Sequence, residues 1–355
     1  MNASLRGIRL VAAHEFRMRL RTGRWKWLLG GFTLTMLAFT WILHAALDSS
    51  RGSYYNGVTI VRDHSSIGPQ MFGVLMLFVL GLMLIISPAL TSQSVNGDRE
   101  RGTLATLQVT LLSPADIAIG KLLAGWSVGL VALGLSVPFV VWSLIEGGVG
   151  VLSALVTLAV VALLIGVICA LAQALSALTS RSISSGMLSY VVTAALALGT
   201  VIVYFMALSL TAEQRTARVG ADYLSEGTLH HPEDVWWLLA PNPFVVLADA
   251  APALPPLRAD NGAFVERSDD PLGSLRRTVR DATRPEDVVT CYNSGYTELD
   301  PPGSVPSCRD PFVEPPPVWP WGLGFDVLLG VGAVTVTIRR LRTPATRLGR
   351  GVRVA

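Results

Sequence analysis

Residues 151–178 read VLSALVTLAVVALLIGVICALAQALSAL, twenty-eight positions without a single Asp, Glu, Lys, Arg or His. A helix needs about 20 mainly apolar residues to cross a hydrocarbon core of roughly 30 Å at 1.5 Å per residue. This stretch therefore predicts a membrane-spanning helix, and five other segments meet the same test. The six run from about Trp27 to Leu47, Gln70 to Val95, Leu122 to Ile145, Val151 to Leu178, Ser184 to Leu210 and Trp319 to Ile338. Within them stand one carboxylate, Asp326, and one imidazole, His44. A midplane charge costs roughly 2.5–3.5 kcal/mol even on the mildest insertion scale, so such clean runs point to spans. The fold expected is an all-α polytopic membrane protein of six helices.

Composition agrees. Of 355 residues 51% are hydrophobic and only 15% charged, against about 25% charged in a soluble domain. A soluble globular domain, a disordered chain and a disulfide-dense secreted scaffold are all excluded. The first span reads as a retained signal anchor, because about 26 residues precede it and no small-x-small cleavage site follows.

Charge asymmetry sets the expected orientation. Arg6, Arg9, Arg17, Arg19, Arg21, Arg24 and Lys26 precede span 1, and Arg99, Arg101 and Lys121 lie between spans 2 and 3. Arg181 follows span 4, and Arg339, Arg340, Arg342, Arg347, Arg350 and Arg353 follow span 6. Seventeen of the 25 acidic residues fall instead between Thr211 and Pro317. Six spans place every basic segment on one side, so both termini are expected in the cytoplasm and 211–317 outside. The organisation expected is a cytosolic amphipathic helix (1–26), spans 1–5 with a cytosolic loop at 96–121 (27–210), an external segment (211–317), span 6 (318–338) and a basic cytosolic tail (339–355).

The first 27 residues repeat Leu5, Ile8, Ala12, Phe16 and Leu20 at spacings of three and four, beside a stripe of Arg6, Arg17, Arg21 and Arg24. That is the pattern of a basic helix lying in the membrane interface, against lipid or with its polar side towards a protein. The 96–121 loop begins Asn96-Gly97-Asp98-Arg99-Glu100-Arg101-Gly102-Thr103-Leu104-Ala105-Thr106-Leu107. Leu104, Leu107 and Leu111 share helical spacing, so a short helix is expected along the inner surface. Ser113-Pro114-x-Asp116 then supplies an N-cap, a proline at the first helical position and an acid at the third, which starts the next helix. Glycine and alanine at Gly166, Ala170 and Ala174, and at Gly125 and Gly129, offer small faces for close helix contact.

The external segment is rich in Pro, Asp, Gly and Ser and shows no strong period. Val235-Trp236-Trp237 through Pro241-Asn242-Pro243-Phe244 is too short and too proline-broken to span, and reads as an interfacial or re-entrant piece. Cys291 and Cys308 both fall outside the membrane and are expected to form a disulfide worth on the order of 3 kcal/mol. Cys169, alone in an apolar helix, reads as a packing residue. No Cys/His cluster has metal-ligand spacing, and the loop dipeptide His230-His231 reads as solvated, so no metal site is expected. Asp326 lies seven residues into the last span, roughly 10 Å below the outer surface. Two roles are open to it: snorkelling or hydrogen-bonding to a neighbouring helix, or contact with a transported molecule.

Glu100-Arg101-Gly102-Thr103-Leu104, a Leu-rich turn, Ser113 and Gly120-Lys121-Leu122-Leu123 resemble the cytoplasmic loop of type-2, exporter-like ABC transporter permeases. The Arg-rich helix with Glu15-Phe16-Arg17 before span 1, and Pro241 to Phe244 before the last span, are also similar to that family. The chain departs from it at Leu111, where the family often has proline, and in its long external segment. The resemblance implies a transport subunit, not an enzyme, which couples to a cytosolic ABC ATPase through Glu100, Arg101, Gly102, Thr103, Leu104 and Leu107 and through the helix bearing Phe16, Arg17, Arg21 and Arg24. It implies a homodimer or heterodimer of permeases among membrane lipids, no nucleic-acid partner, and ATP and Mg bound by the partner. The residues agree: Gly120-Lys121 lacks the glycine and the Ser or Thr of a phosphate loop. The alternatives are a polytopic membrane enzyme, for which titratable residues in the spans are too few, and a non-transporting assembly factor. Twenty-six arginines against two lysines point to a GC-rich bacterial genome and so to a bacterial cell membrane.

Overall fold

A computed structural model describes residues 4–21, 24–49, 54–55, 58–59, 67–102, 112–219, 223–253, 257–258, 264–265, 270–284 and 315–342. Helix α1 (Leu5–Arg21) is followed by α2 (Arg24–Ser49), α3 (Ile67–Thr91), the single turn α4 (Asn96–Glu100), α5 (Pro114–Ile145) and α6 (Val151–Leu178). The fifth span is α7 (Ser182–Ala194), a π-helical turn (Ala195–Gly199) and α8 (Thr200–Leu210). Two short helices follow, α9 (Pro243–Ala250) and α10 (Pro271–Asp281), before the last span α11 (Trp319–Leu341). Six helices are long and apolar enough to cross a membrane. The chain is a multi-pass, all-α membrane protein, as its hydropathy predicts.

The core lies among α3, α5 and α6, where Met71, Leu75, Met76, Val79, Leu80 and Met83 of α3 are fully buried against Leu164, Ile165 and Ile168 of α6. The small faces close it. Ala170 and Ala174 pack on Ala333 of α11, and the Gly125 and Gly129 positions lie against Thr91 of α3 and Ile165 of α6. Dispersion and close packing, not water exclusion, hold such helices together in lipid, so small residues at the crossings let the backbones approach. Spans 1 and 5 are least buried and carry exposed Leu34, Trp41, Ile42, Met187, Val191, Ile202 and Phe205.

Two helices extend beyond their apolar runs. Helix α5 begins at Pro114, where the Ser113 cap predicts it, two turns before the apolar run that starts at Leu122; α11 runs three residues beyond Ile338. The described parts of the 211–317 segment contain regular elements. An antiparallel hairpin pairs Glu213–Val219 with Tyr223–Leu229, and α9 and α10 pack against each other and against α3, α6 and α11. Two-residue antiparallel pairs at 54–59 and 257–265 complete the described strands.

Candidate functional site

The end of the bundle that carries α1 is held by charge and capping. Ser113 accepts from Asp116 N (3.1 Å) while Asp116 Oδ2 accepts from Ser113 N (2.9 Å), the capping box that the sequence predicts. The other oxygen, Oδ1, accepts from Ser4 N at 2.7 Å, and Ser4 Oγ accepts from Gly7 N at 3.0 Å. One carboxylate thus fixes the starts of both α5 and α1. A turn further on, α1 lies flush on α5: a Cβ at Gly120 would sit 2.7 Å from Val11 Cβ and 3.0 Å from Ile8 O. Only glycine permits that approach. The buried stripe of α1 is Gly7, Val11 and the half-buried Glu15, while Leu5 is exposed, so the contact face is rotated from the apolar stripe expected.

Lys121, two helical turns into α5, is the largest fully buried side chain of the described residues, at 2% exposure. Its ammonium donates to Glu15 of α1 and to Asp98 of α4. Asp98 also accepts from Arg101 Nη2 at 2.9 Å. Two carboxylates and two cations from three elements therefore form one network. A buried charge is sustainable only when paired and hydrogen-bonded, so α1, α4 and α5 are constrained to keep this register.

The 96–102 turn also grips spans 4 and 5. Ser176 Oγ accepts from Val95 N and Asn96 N (3.2 and 3.1 Å), and Asn96 Nδ2 donates to Thr179 Oγ1 at 2.9 Å. Arg99 donates to Thr179 O at 3.1 Å. Glu100 Oε1 accepts from Ser182 N at 3.0 Å, so its carboxylate sits at the N-terminus of α7, where negative charge is favoured. Gly102, at φ +71°, ends the turn in the left-handed region, with open space around it.

Of the residues predicted for coupling, Glu100, Arg101 and Gly102 lie on this turn, with Arg101 exposed. Thr103, Leu104 and Leu107 fall outside the described residues. On α1, Phe16 is half-buried and lines a 400 Å³ groove with Arg9, Ala12 and Trp126, and Arg17 is exposed. Arg21 and Arg24 belong to α1 and α2, their side chains outside the described set. Cys291 and Cys308 also lie outside it.

Within the membrane, Asp326 is 1% exposed, and neither of its oxygens has a hydrogen-bond partner among the described residues. His44 Nε2 lies 3.0 Å from Glu146 Oε1, which also accepts from Trp142 Nε1 at 3.2 Å, joining spans 1 and 3.

At the opposite end Asp249 of α9 is wholly buried. It accepts from Val318 N (2.7 Å), Trp319 N (2.6 Å) and Arg280 Nε, anchoring α10 and the start of α11 together. Asn242 caps α9 through Phe244 N at 2.8 Å. Its amide donates to Ala197 O in the π-turn and to Thr200 Oγ1, each at 2.8 Å. The Pro-Asn-Pro-Phe run thereby clamps span 5. His231 bonds Glu233 (3.0 Å) and lies 3.6 Å from Glu213. The hydrogen bond that the imidazole donates to Glu233, with Glu213 and Asp234 nearby, raises it above its ordinary 6.5. A raised value stabilises the fold fully below the ordinary value, and that contribution fades as pH rises through the folded one. An NMR titration should give a His231 midpoint above 6.5 that falls in Glu233→Gln; a midpoint insensitive to that substitution contradicts the assignment. No metal-binding group of His, Cys, Asp and Glu occurs among the described residues.

Six apolar spans, locked at one end to a basic amphipathic helix, define a polytopic membrane protein. The ABC-2 family transporter protein profile matches residues 9–241, and the chain belongs to that family of transporter permeases. The comparison with curated proteins gives no match.

Proposed function

We propose that this chain is the membrane-spanning subunit of an ATP-binding cassette exporter. Two permease copies, identical or different, pair with two cytosolic ATPase subunits that bind ATP and Mg, and a lipidic or hydrophobic substrate crosses between the permeases. The chain binds no cofactor itself. Both termini face the cytoplasm of a bacterial cell, and 211–317 lies outside. The network of Glu15, Asp98, Arg101 and Lys121 carries this reading, because it makes α1 and the 96–102 turn one body with spans 2 and 3. Force applied by an ATPase at Glu100–Leu107 would tilt those spans without first being lost in a flexible joint. The exposed apolar faces of spans 1 and 5 are the surfaces available to a second copy or to lipid. Asp326, buried with no hydrogen-bond partner among the described residues, is the candidate for substrate contact or for a rearrangement during the cycle.

Gly102 and Glu100 test the docking. Valine at φ +71° is strained by about 1–2 kcal/mol, whereas asparagine tolerates that region. Gly102→Val should therefore reduce ABC ATPase co-purification and substrate-stimulated hydrolysis, and Gly102→Asn should not. Glu100→Gln keeps an acceptor for Ser182 N and removes the charge. A loss of coupling in Glu100→Gln, with none in Glu226→Gln, assigns the effect to the partner surface. Equal, negligible effects at both glutamates would overturn it.

A further inference from the structure

A cavity of about 530 Å³ opens at the end of the bundle opposite α1, walled by span 5, span 6 and the Trp236–Pro241 strap. Its volume falls in the range of small-molecule sites, roughly 300–1,000 Å³. No charged residue lines it among the described residues. Among its walls are Leu196, Gly199 and Val203 of span 5, and Trp236, Trp321 and Phe325. The Thr200 hydroxyl in that wall is already engaged, donating to Leu196 O and accepting from Asn242. Trp237 Nε1 donates to Asp234 O. Water entering such a space would find few partners, and apolar cavities stay dry unless an apolar molecule fills them.

The position of the aromatics indicates what fills it. Trp237 and Trp321 are exposed at the mouth, and tryptophans collect at the headgroup level of a bilayer. Phe325 lies four residues further along α11, about 6 Å deeper at 1.5 Å per residue. The groove therefore runs from the interface into the hydrocarbon, the course of a lipid tail beneath its headgroup. A second permease copy is the less fitting occupant. The exposed stripe of span 5, Val191, Leu198, Ile202 and Phe205, follows spacings of seven, four and three. The groove wall of Leu196, Gly199 and Val203 follows a separate stripe, turned towards α11.

We infer that this groove is a binding site for one acyl chain of a phospholipid in the leaflet facing the 211–317 segment, clamped under the Trp strap that Asn242 ties to the π-turn. The site exists whether or not the transported substrate is a lipid, and its occupancy needs no ATPase. Full-length protein in nanodiscs made with a phospholipid bearing an acyl-chain diazirine would be irradiated, and the adducts mapped by mass spectrometry. Adducts at Leu196, Val203 and Phe325 should exceed those at Val191, Ile202 and Phe205, which sample bulk lipid, by several-fold. Val203→Trp, which fills the groove, should abolish the excess while leaving bulk labelling unchanged. Labelling of the groove no greater than that of the exposed stripe would overturn the proposal. So would an excess that survives Val203→Trp, or permease–permease crosslinks through Leu196 and Val203. None of these results would bear on ATPase docking.

Discussion

Lys121→Met should weaken the fold by about 3–5 kcal/mol, the usual consequence of removing one partner from a buried charged group. Methionine nearly matches the lysine in length and packs well, so the loss would come from charge rather than volume. Glu15 and Asp98 would face each other across a buried position with no ammonium between them. Arg101 is exposed and bonded to the far oxygen of Asp98, and it cannot take the place of Lys121. The first structure to go would be α1, whose seat on α5 depends on Gly120, Val11 and this network. Hydrogen exchange in detergent should show α1 amides losing protection while α3 and α6 keep theirs. The triple variant Glu15→Gln, Asp98→Asn, Lys121→Met should recover most of the stability, because replacing a whole buried charge cluster is often neutral. Unchanged α1 protection in Lys121→Met would show that the network is not what holds that helix.

A second large effect is expected at the other end. Asp249→Ala removes the shared acceptor of Val318 N, Trp319 N and the Arg280 guanidinium. Buried donors deprived of an acceptor cost about 1–3 kcal/mol each, so a loss on the order of 3 kcal/mol is expected. Asp249→Asn, which keeps an acceptor, should lose less. The predicted signature is faster exchange of the first turn of α11 and of α10, with α1 unaffected. If Asp249→Ala and Asp249→Asn behave alike and both match the parent, the buried carboxylate is not the anchor of the last span.

The six spans and the start of α5 were open to sequence reasoning because each has a local cause. Hydropathy over about 20 residues reports spanning length, and Ser113-Pro114-x-Asp116 spells a cap within four positions. The network did not show itself, since Lys121 meets Glu15 and Asp98 across 106 and 23 residues. A signal did exist. Lys121 is one of only two lysines and stands two turns inside an apolar helix, where an unpaired ammonium cannot be sustained. Asp249 offered the same clue, a single carboxylate in Val245-Val246-Leu247-Ala248-Asp249-Ala250. The 213–229 hairpin was hidden because its strands are polar, without the alternation that marks a half-buried strand. The π-turn at Ala195–Gly199 has no residue signature; it becomes intelligible only with Asn242 bonded to the carbonyl of Ala197. Glu100 was read as a surface charge for a partner, and its bond to Ser182 N gives it a second, structural duty.

The central claim is that an ABC ATPase seats on the turn after span 2, at the end of the bundle that bears α1. A photo-reactive phenylalanine analogue at Arg101, exposed on that turn, tests it in intact cells. The same analogue at Trp237, exposed at the opposite end, is the control. The account predicts a crosslinked permease–ABC ATPase species from position 101 and none from 237. Crosslinking to the ATPase from 237, or its absence from 101 in a complex that still co-purifies, would contradict both the docking surface and the orientation.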